Sequence, residues 1–271
     1  MIARLALPLL LLLPACSAEP ELTPAEKAAA AKVPGAPPGG PAEIALEDAS
    51  PSSVRTEDAL IDFAYDYPRE AAAIAKLAAL LDRDREVKRE ALIAAARRDQ
   101  ASAAAHGHAY NTNSHLQRWE RVANTPRFLS LSAEIETYSG GAHGMQTFDA
   151  LIWDRNRGVR LSPLDLFASG EAFDRAVNAD LCAGIERAKK AKGILWSRED
   201  GGVFSECPSA SAQTVWLGSS DGRHLDRLTV AIAPYEVGPY AEGSYRIDLP
   251  MTAALVHAVK PDFAREFRPL R

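Results

Sequence analysis

Leu129-Ser130-Leu131-Ser132-Ala133-Glu134-Ile135-Glu136 alternates apolar and polar side chains without a break. A period of two sends every apolar side chain to one face of an extended chain, the pattern of a half-buried strand. Tyr138-Ser139-Gly140-Gly141-Ala142-His143-Gly144 follows, and then a second apolar-rich run over residues 145–153. The glycines give the backbone the freedom a chain reversal needs, so the stretch predicts an antiparallel hairpin.

Reading outward toward the N-terminus, Ile61, Phe63, Tyr65 and Tyr67 alternate with Asp62, Ala64 and Asp66 and predict another strand. Pro68 ends it and suits the first position of a helix. The Ala-rich sequence from there to about Ala105 is helical, with Ile74, Leu77 and Leu81 on one face. Val87 and Ala91 do not continue that stripe, which predicts a break over residues 82–86. Toward the C-terminus, Asn156-Arg157-Gly158 marks a turn, and Ser162-Pro163 opens a short helix to Phe167. Phe173, Val177, Leu181 and Ile185 recur every four residues and predict an amphipathic helix ending near Lys192-Gly193. Strands are predicted over 213–217, 227–233 and 244–249. Strand runs with segregated helices define an α+β fold of antiparallel sheet segments with helices packed on one side.

The N-terminus follows other rules. Arg4, the apolar run from Leu5 to Leu13 and then Leu13-Pro14-Ala15-Cys16 form a secretory signal, too short to cross a hydrocarbon core of about 20 residues. Leu at −3, Ala at −1 and Cys at +1 resemble a bacterial lipobox, which implies cleavage after residue 15 and lipidation of Cys16. Pro14 departs from the usual residue at −2. Ser17, rather than Asp, is similar to the signal of lipoproteins sorted to the outer membrane. Residues 16–53 then form a Pro/Ala/Gly-rich tether, including Pro34-Gly35-Ala36-Pro37-Pro38-Gly39-Gly40-Pro41 and no aromatic residue. So little apolar surface cannot offset the entropy of ordering; a flexible chain of about 36 residues spans roughly 35 Å. The expected organisation is a signal peptide (1–15), the lipidated tether (16–53), and segments 54–145 and 146–271 folding as one compact unit.

Beyond Cys16 the only cysteines are Cys182 and Cys207. An even pair in an exported chain predicts a disulfide, worth about 3–4 kcal/mol through loop closure. A reactive thiol is the weaker reading: Cys182 sits in an apolar helical run, and Glu206 beside Cys207 disfavours a thiolate. A formal net charge of −5, with no basic stripe interleaved with aromatics, excludes nucleic acid as a partner.

Several of these stretches carry a resemblance. The 138–144 loop, Phe148-Asp149, Leu161-Ser162-Pro163-Leu164-Asp165-Leu166-Phe167 and Ala233-Pro234-Tyr235-Glu236-Val237-Gly238-Pro239-Tyr240-Ala241-Glu242-Gly243 together resemble an envelope module. It is found in the extracytoplasmic part of RsiV-type anti-sigma factors and beside the catalytic domain of PdaC-type peptidoglycan deacetylases. The resemblance runs from about Val54 to Ala258. It implies a domain that binds a lysozyme-like muramidase. Neither a transmembrane helix, an anti-sigma segment nor a separate deacetylase domain is evident, so a stand-alone lipoprotein is expected.

Candidate chemistry is sparse. His106, His108, His115 and His143 lack the spacing of a zinc site, and no metal or cofactor is expected. No nucleophile elbow, phosphate loop or dinucleotide fingerprint is present. Ser219-Ser220-Asp221-Gly222-Arg223-His224 gathers triad residue types in one run, but a triad converges from separated positions, and this run reads as a turn. The best interaction candidate is the 234–243 loop, where Tyr235, Pro239 and Tyr240 form a stiffened aromatic surface; the competing reading folds both rings back over the sheet edge. Function is therefore expected to be non-catalytic binding of a muramidase or of peptidoglycan, at the periplasmic side of the envelope. The alternatives are an enzyme acting on wall glycan through a carboxylate or His143, and a structural envelope protein.

Overall fold

The computed structural model describes residues 43–196 and 201–270. The expected signal peptide, Cys16 and the expected tether as far as residue 42 lie outside the described residues.

A six-stranded sheet runs in the order β1 (Ser52–Glu57), β2 (Ile61–Tyr67), β3 (Asn113–Asn124), β4 (Phe128–Tyr138), β5 (Met145–Asp154) and β6 (Val159–Leu161). Neighbours are antiparallel except β2 and β3, which are parallel. A parallel pair needs a crossover. Here it is α1 (Arg69–Ala72) followed by α2 (Ala75–Ala105). The sheet is thus mixed, where alternation alone pointed to antiparallel pairing. The hairpin deduced from residues 129–153 is β4 and β5, with Leu131 opposite Leu151 and Ala133 opposite Asp149.

Residues 43–53, expected to belong to the tether, take part in the fold. Glu43 bridges to Ile74, the Ile44 amide donates to the Ala73 carbonyl, and Ala49 is buried. β1 itself begins at Ser52 because it pairs with β2, a partner that composition does not reveal.

α2 covers one face of this sheet. Ile61, Phe63, Tyr65, Tyr67, Trp119, Leu129, Leu131, Leu151 and Trp153 pack against Leu77, Leu81 and Ala96. The expected break over 82–86 does not occur. Polar side chains replace the apolar stripe there: Tyr65 donates to Asp84 at 2.8 Å, Tyr67 donates to Asp82 at 2.9 Å, and Lys88 donates to Gln117 at 2.8 Å. Burial, together with the adjacent Asp84, pushes the Tyr65 phenol well above the usual tyrosine range.

A second layer covers part of the opposite face. It holds α3 (Gly170–Ala191), the antiparallel sheet β7 (Thr214–Gly218), β8 (Arg227–Ile232) and β9 (Tyr245–Pro250), and α4 (Ala253–His257). Phe173, Val177, Leu181 and Ile185 of α3 join Phe128 and Ile152 of the first sheet in its core. The two layers are also pinned by backbone acceptors on β5: Thr214 donates to the Phe148 carbonyl at 3.2 Å, and Trp216 Nε1 to the Asp149 carbonyl at 3.1 Å. Cys182 of α3 is bonded to Cys207, with Cα atoms 5.6 Å apart. No described helix is long and apolar enough to cross a membrane.

Candidate functional site

Two of the loops singled out in the sequence meet. The β4–β5 loop makes its reversal through Gly140 (φ 91°) and Gly141 (φ 90°), which leaves His143 exposed at its end. The loop between β8 and β9 comes to the same place from the second layer. His143 stacks on Tyr240 with ring centroids 3.6 Å apart and planes 13° from parallel. Tyr235 lies 3.1 Å from His143 Nε2 through its hydroxyl, and its ring is 5.8 Å from that of Tyr240.

His143 Nδ1 lies 2.8 Å from the Gly144 carbonyl, which can only accept, so Nδ1 carries a proton. In the neutral ring Nε2 is then the acceptor, and the Tyr235 hydroxyl donates to it. Both reactive positions of the imidazole are engaged within the protein. Of the three rings, Tyr235 is 46% exposed and Tyr240 is half-buried, while Pro239 is exposed beside them. Tyr235 therefore does not fold back over the sheet edge, whereas Tyr240 is covered by His143 on one side.

The tyrosine loop is held from beneath. Lys189, 1% exposed, donates to Glu242 at 2.6 Å, and the Tyr245 hydroxyl donates to the same carboxylate at 2.5 Å. Lys192 donates to the carbonyls of Glu242 and Ser244. A Cβ on Gly238 would overlap the Glu242 carboxylate, so glycine lets the loop close over the ion pair. Burial pushes Glu242 up, but the bonds from Lys189 and Tyr245 and the charges of Lys189 and Lys192 outweigh it and hold the carboxyl below its usual range. Lys189 was legible in principle: it extends the series 173, 177, 181, 185 by one more step of four. A lysine on that stripe calls for a buried anion.

The remaining candidates lie elsewhere. His106 stacks on His108 at the end of α2, and His115 packs on Phe63 and bonds Gln117 at 3.1 Å. Among the described residues no group of three or more His, Cys, Asp or Glu is placed to hold a metal ion. The 219–224 run is a turn organised by Asp221, which accepts from the Arg223 and His224 amides and from Ser219. Those bonds, the His224 amide first, hold its carboxyl well below the usual range.

These features define an α+β protein in which a mixed sheet, backed by a long helix, presents a His–Tyr cluster through two loops from different layers. Residues 54–146 match the family described as Deacetylase PdaC. Two solved structures of the DUF3298 family are similar. One, from Bacteroides fragilis, is 16% identical, covers 80% of this chain and 96% of its own, and gives a TM-score of 0.48. The other, from Pseudomonas aeruginosa, is 17% identical, covers 84% of this chain and 100% of its own, and gives 0.49. No curated protein matches.

Proposed function

We propose that this chain is a non-catalytic binding module, tethered to the envelope through a lipid on Cys16, whose contact face is the Tyr235–His143–Tyr240 cluster and whose partner is a lysozyme-like muramidase or peptidoglycan. The observation that supports it most is the convergence of two loops, distant in sequence, on one partly exposed aromatic group. Aromatic side chains held in place before binding lose little entropy on contact, and a few such anchors dominate the energy of an interface. His143, with both ring nitrogens engaged by the protein itself, serves in this reading as a brace for the tyrosines. The intramolecular disulfide suits an oxidising compartment outside the cytoplasm.

The test uses the full chain as bait for envelope extract and for purified muramidase and peptidoglycan. Tyr240→Ala is expected to weaken binding by about 2 kcal/mol, roughly thirtyfold, with little change in melting temperature because the ring is half-exposed. Intact affinity in a variant that melts several degrees lower would assign Tyr240 to packing. Because the matching family is described as a deacetylase, acetate release from wall glycan is assayed alongside. Turnover lost on changing one carboxylate or His143 would replace the binding reading with an enzymatic one.

A further inference from the structure

α2 has apolar residues on two sides. Leu77, Leu81 and Ala96 face the sheet and are buried. Val87 and Ala91, which do not continue that stripe, lie on the other side: at 3.6 residues per turn they align with Ala79 and Ala94. All four are exposed, Val87 by 60%.

This outer face is basic. Lys76, Arg83, Arg97 and Arg98 are exposed on it, against Glu90 in its middle and Glu86 at its margin. Among the described residues the ion pairs of α2 join Arg85 to Asp82 and Glu86, and Lys88 to Asp84. The four cations belong to none of these, so Glu90 is the one acid on the face whose charge is not already engaged. The helix rises about 33 Å between Lys76 and Arg98. At the N-terminal half, Lys76, Arg83 and Val87 border an open hollow of about 480 Å³, which Arg160 of β6 reaches as well.

We propose that the outer face of α2 docks on an anionic lipid bilayer, with its Lys and Arg heads among the lipid phosphates and Val87 entering the headgroup boundary. Cations spread over 33 Å match a planar array of phosphates, whereas a compact soluble anion would meet only one or two of them. The chain's exit agrees. Glu43 bridges to Ile74, the residue before α2, so the chain toward Cys16 leaves beside the Lys76 end. The 27 residues from 16 to 42 cannot reach further than about 95 Å. A lipid on Cys16 would therefore hold this face at high effective concentration near the bilayer; for that geometry the proposal rests on the anchor reading above. The whole chain is acidic, at −5, so attraction confined to one face also fixes orientation. The layer carrying Tyr235 and Tyr240 packs on the opposite side of the sheet from α2. Docking through α2 thus turns the aromatic cluster away from the lipid.

The test uses the mature chain from Ser17 onward, which lacks Cys16 and its lipid and keeps the whole described unit. It is mixed with phosphatidylcholine vesicles containing phosphatidylglycerol at about one part in four, or none, and bound protein is measured by flotation. Saturable binding is expected on the anionic vesicles alone, and it is lost at about 1 M salt, where screening reaches within roughly 3 Å. Each Lys or Arg held at an anionic surface contributes about fivefold in partitioning, so Lys76→Ala/Arg83→Ala should weaken binding roughly twentyfold. Val87→Asp should also weaken it, and all three sites are exposed, so melting temperatures stay unchanged. Arg118→Ala/Arg223→Ala removes the same charge from other exposed positions and should leave binding as it was. Equal binding to neutral vesicles, or as large a loss in that control pair as in the α2 pair, overturns the proposal. So does displacement by millimolar inorganic phosphate, or an oligoglutamate peptide that binds the face as tightly as the vesicles do. Detergent partitioning of the lipidated full chain is read in parallel. If it partitions while the unlipidated chain ignores anionic vesicles, only the docking falls; if Cys16 carries no lipid while vesicle binding persists, the anchor falls and the docking stands.

Discussion

Tyr235 is the only described residue other than glycine with a positive φ, at 73°. A side chain in that region costs about 1–2 kcal/mol, and here the return is a ring held outward with its hydroxyl on His143. Glycine adopts the same backbone freely. Tyr235→Gly is therefore expected to keep or raise the melting temperature while weakening capture of the partner. A clear fall in melting temperature with capture unchanged would mean that the Tyr235–His143 contact serves the fold. At this scale the sequence was partly legible. Pro234, Pro239 and the glycines marked a stiff loop, and Tyr235 and Tyr240 stood out as aromatics in it. The stack of His143 on Tyr240 was not readable, because it depends on two layers meeting and no local period encodes that.

Between elements, the contacts that matter are the ion pair under the tyrosine loop and the bridge on α3. Glu242 titrates below the ordinary carboxylate range, and so does Asp174, where burial is outweighed by hydrogen bonds from Ser209 and Ser211. A depressed folded pKa means that the unfolded chain takes up its proton first as the pH falls. The stabilisation is thus complete above the unfolded value of about 4 and is lost as pH drops through the lower folded values. Glu242→Gln is expected to lower stability at pH 7 and to flatten the acid decline, measured by urea unfolding between about pH 6 and 2. An unchanged decline would place the acid sensitivity elsewhere. The Cys182–Cys207 bridge closes a loop of sequence separation 25, for which chain entropy gives about 3–4 kcal/mol. The double variant Cys182→Ala/Cys207→Ala should lose about that much in urea while still capturing its partner; lost capture at unchanged stability would tie the cysteines to function. Element types were the most legible level. Period-two runs located β2 and β4, the apolar-rich run after the glycine loop located β5, and the four-residue repeat located α3. β3 was missed because Asn113 and Gln117 occupy its buried face, where they bond Asp99 and Lys88 of α2. Burying polar groups against a helix erased the alternation, and for the same reason α2 looked broken where Asp82 and Asp84 hold the sheet tyrosines.

Over the whole molecule, the sequence segment that matches a family and the physical unit that folds are different things. The match ends at residue 146, two residues into β5. Leu151, Ile152 and Trp153 lie beyond it, all fully or nearly fully buried, and β5 is the strand that pairs with β4 from Phe128 to Thr137. A fragment of residues 43–146 would leave β4 an open edge and uncover Leu129 and Leu131 on one face and Phe128 on the other, each fully buried in the intact chain. Each large apolar side chain left exposed forgoes about 1.5–3 kcal/mol, against a total stability of only about 5–15 kcal/mol. The described residues 43–270 belong to one compact unit, in agreement. The fragment is accordingly expected to show no cooperative melt and poorly dispersed amide resonances, whereas residues 43–270 melt in a single transition. A well-dispersed spectrum from the fragment would show that the first sheet folds on α2 alone, and that the layer carrying Tyr235 and Tyr240 docks on a domain already formed.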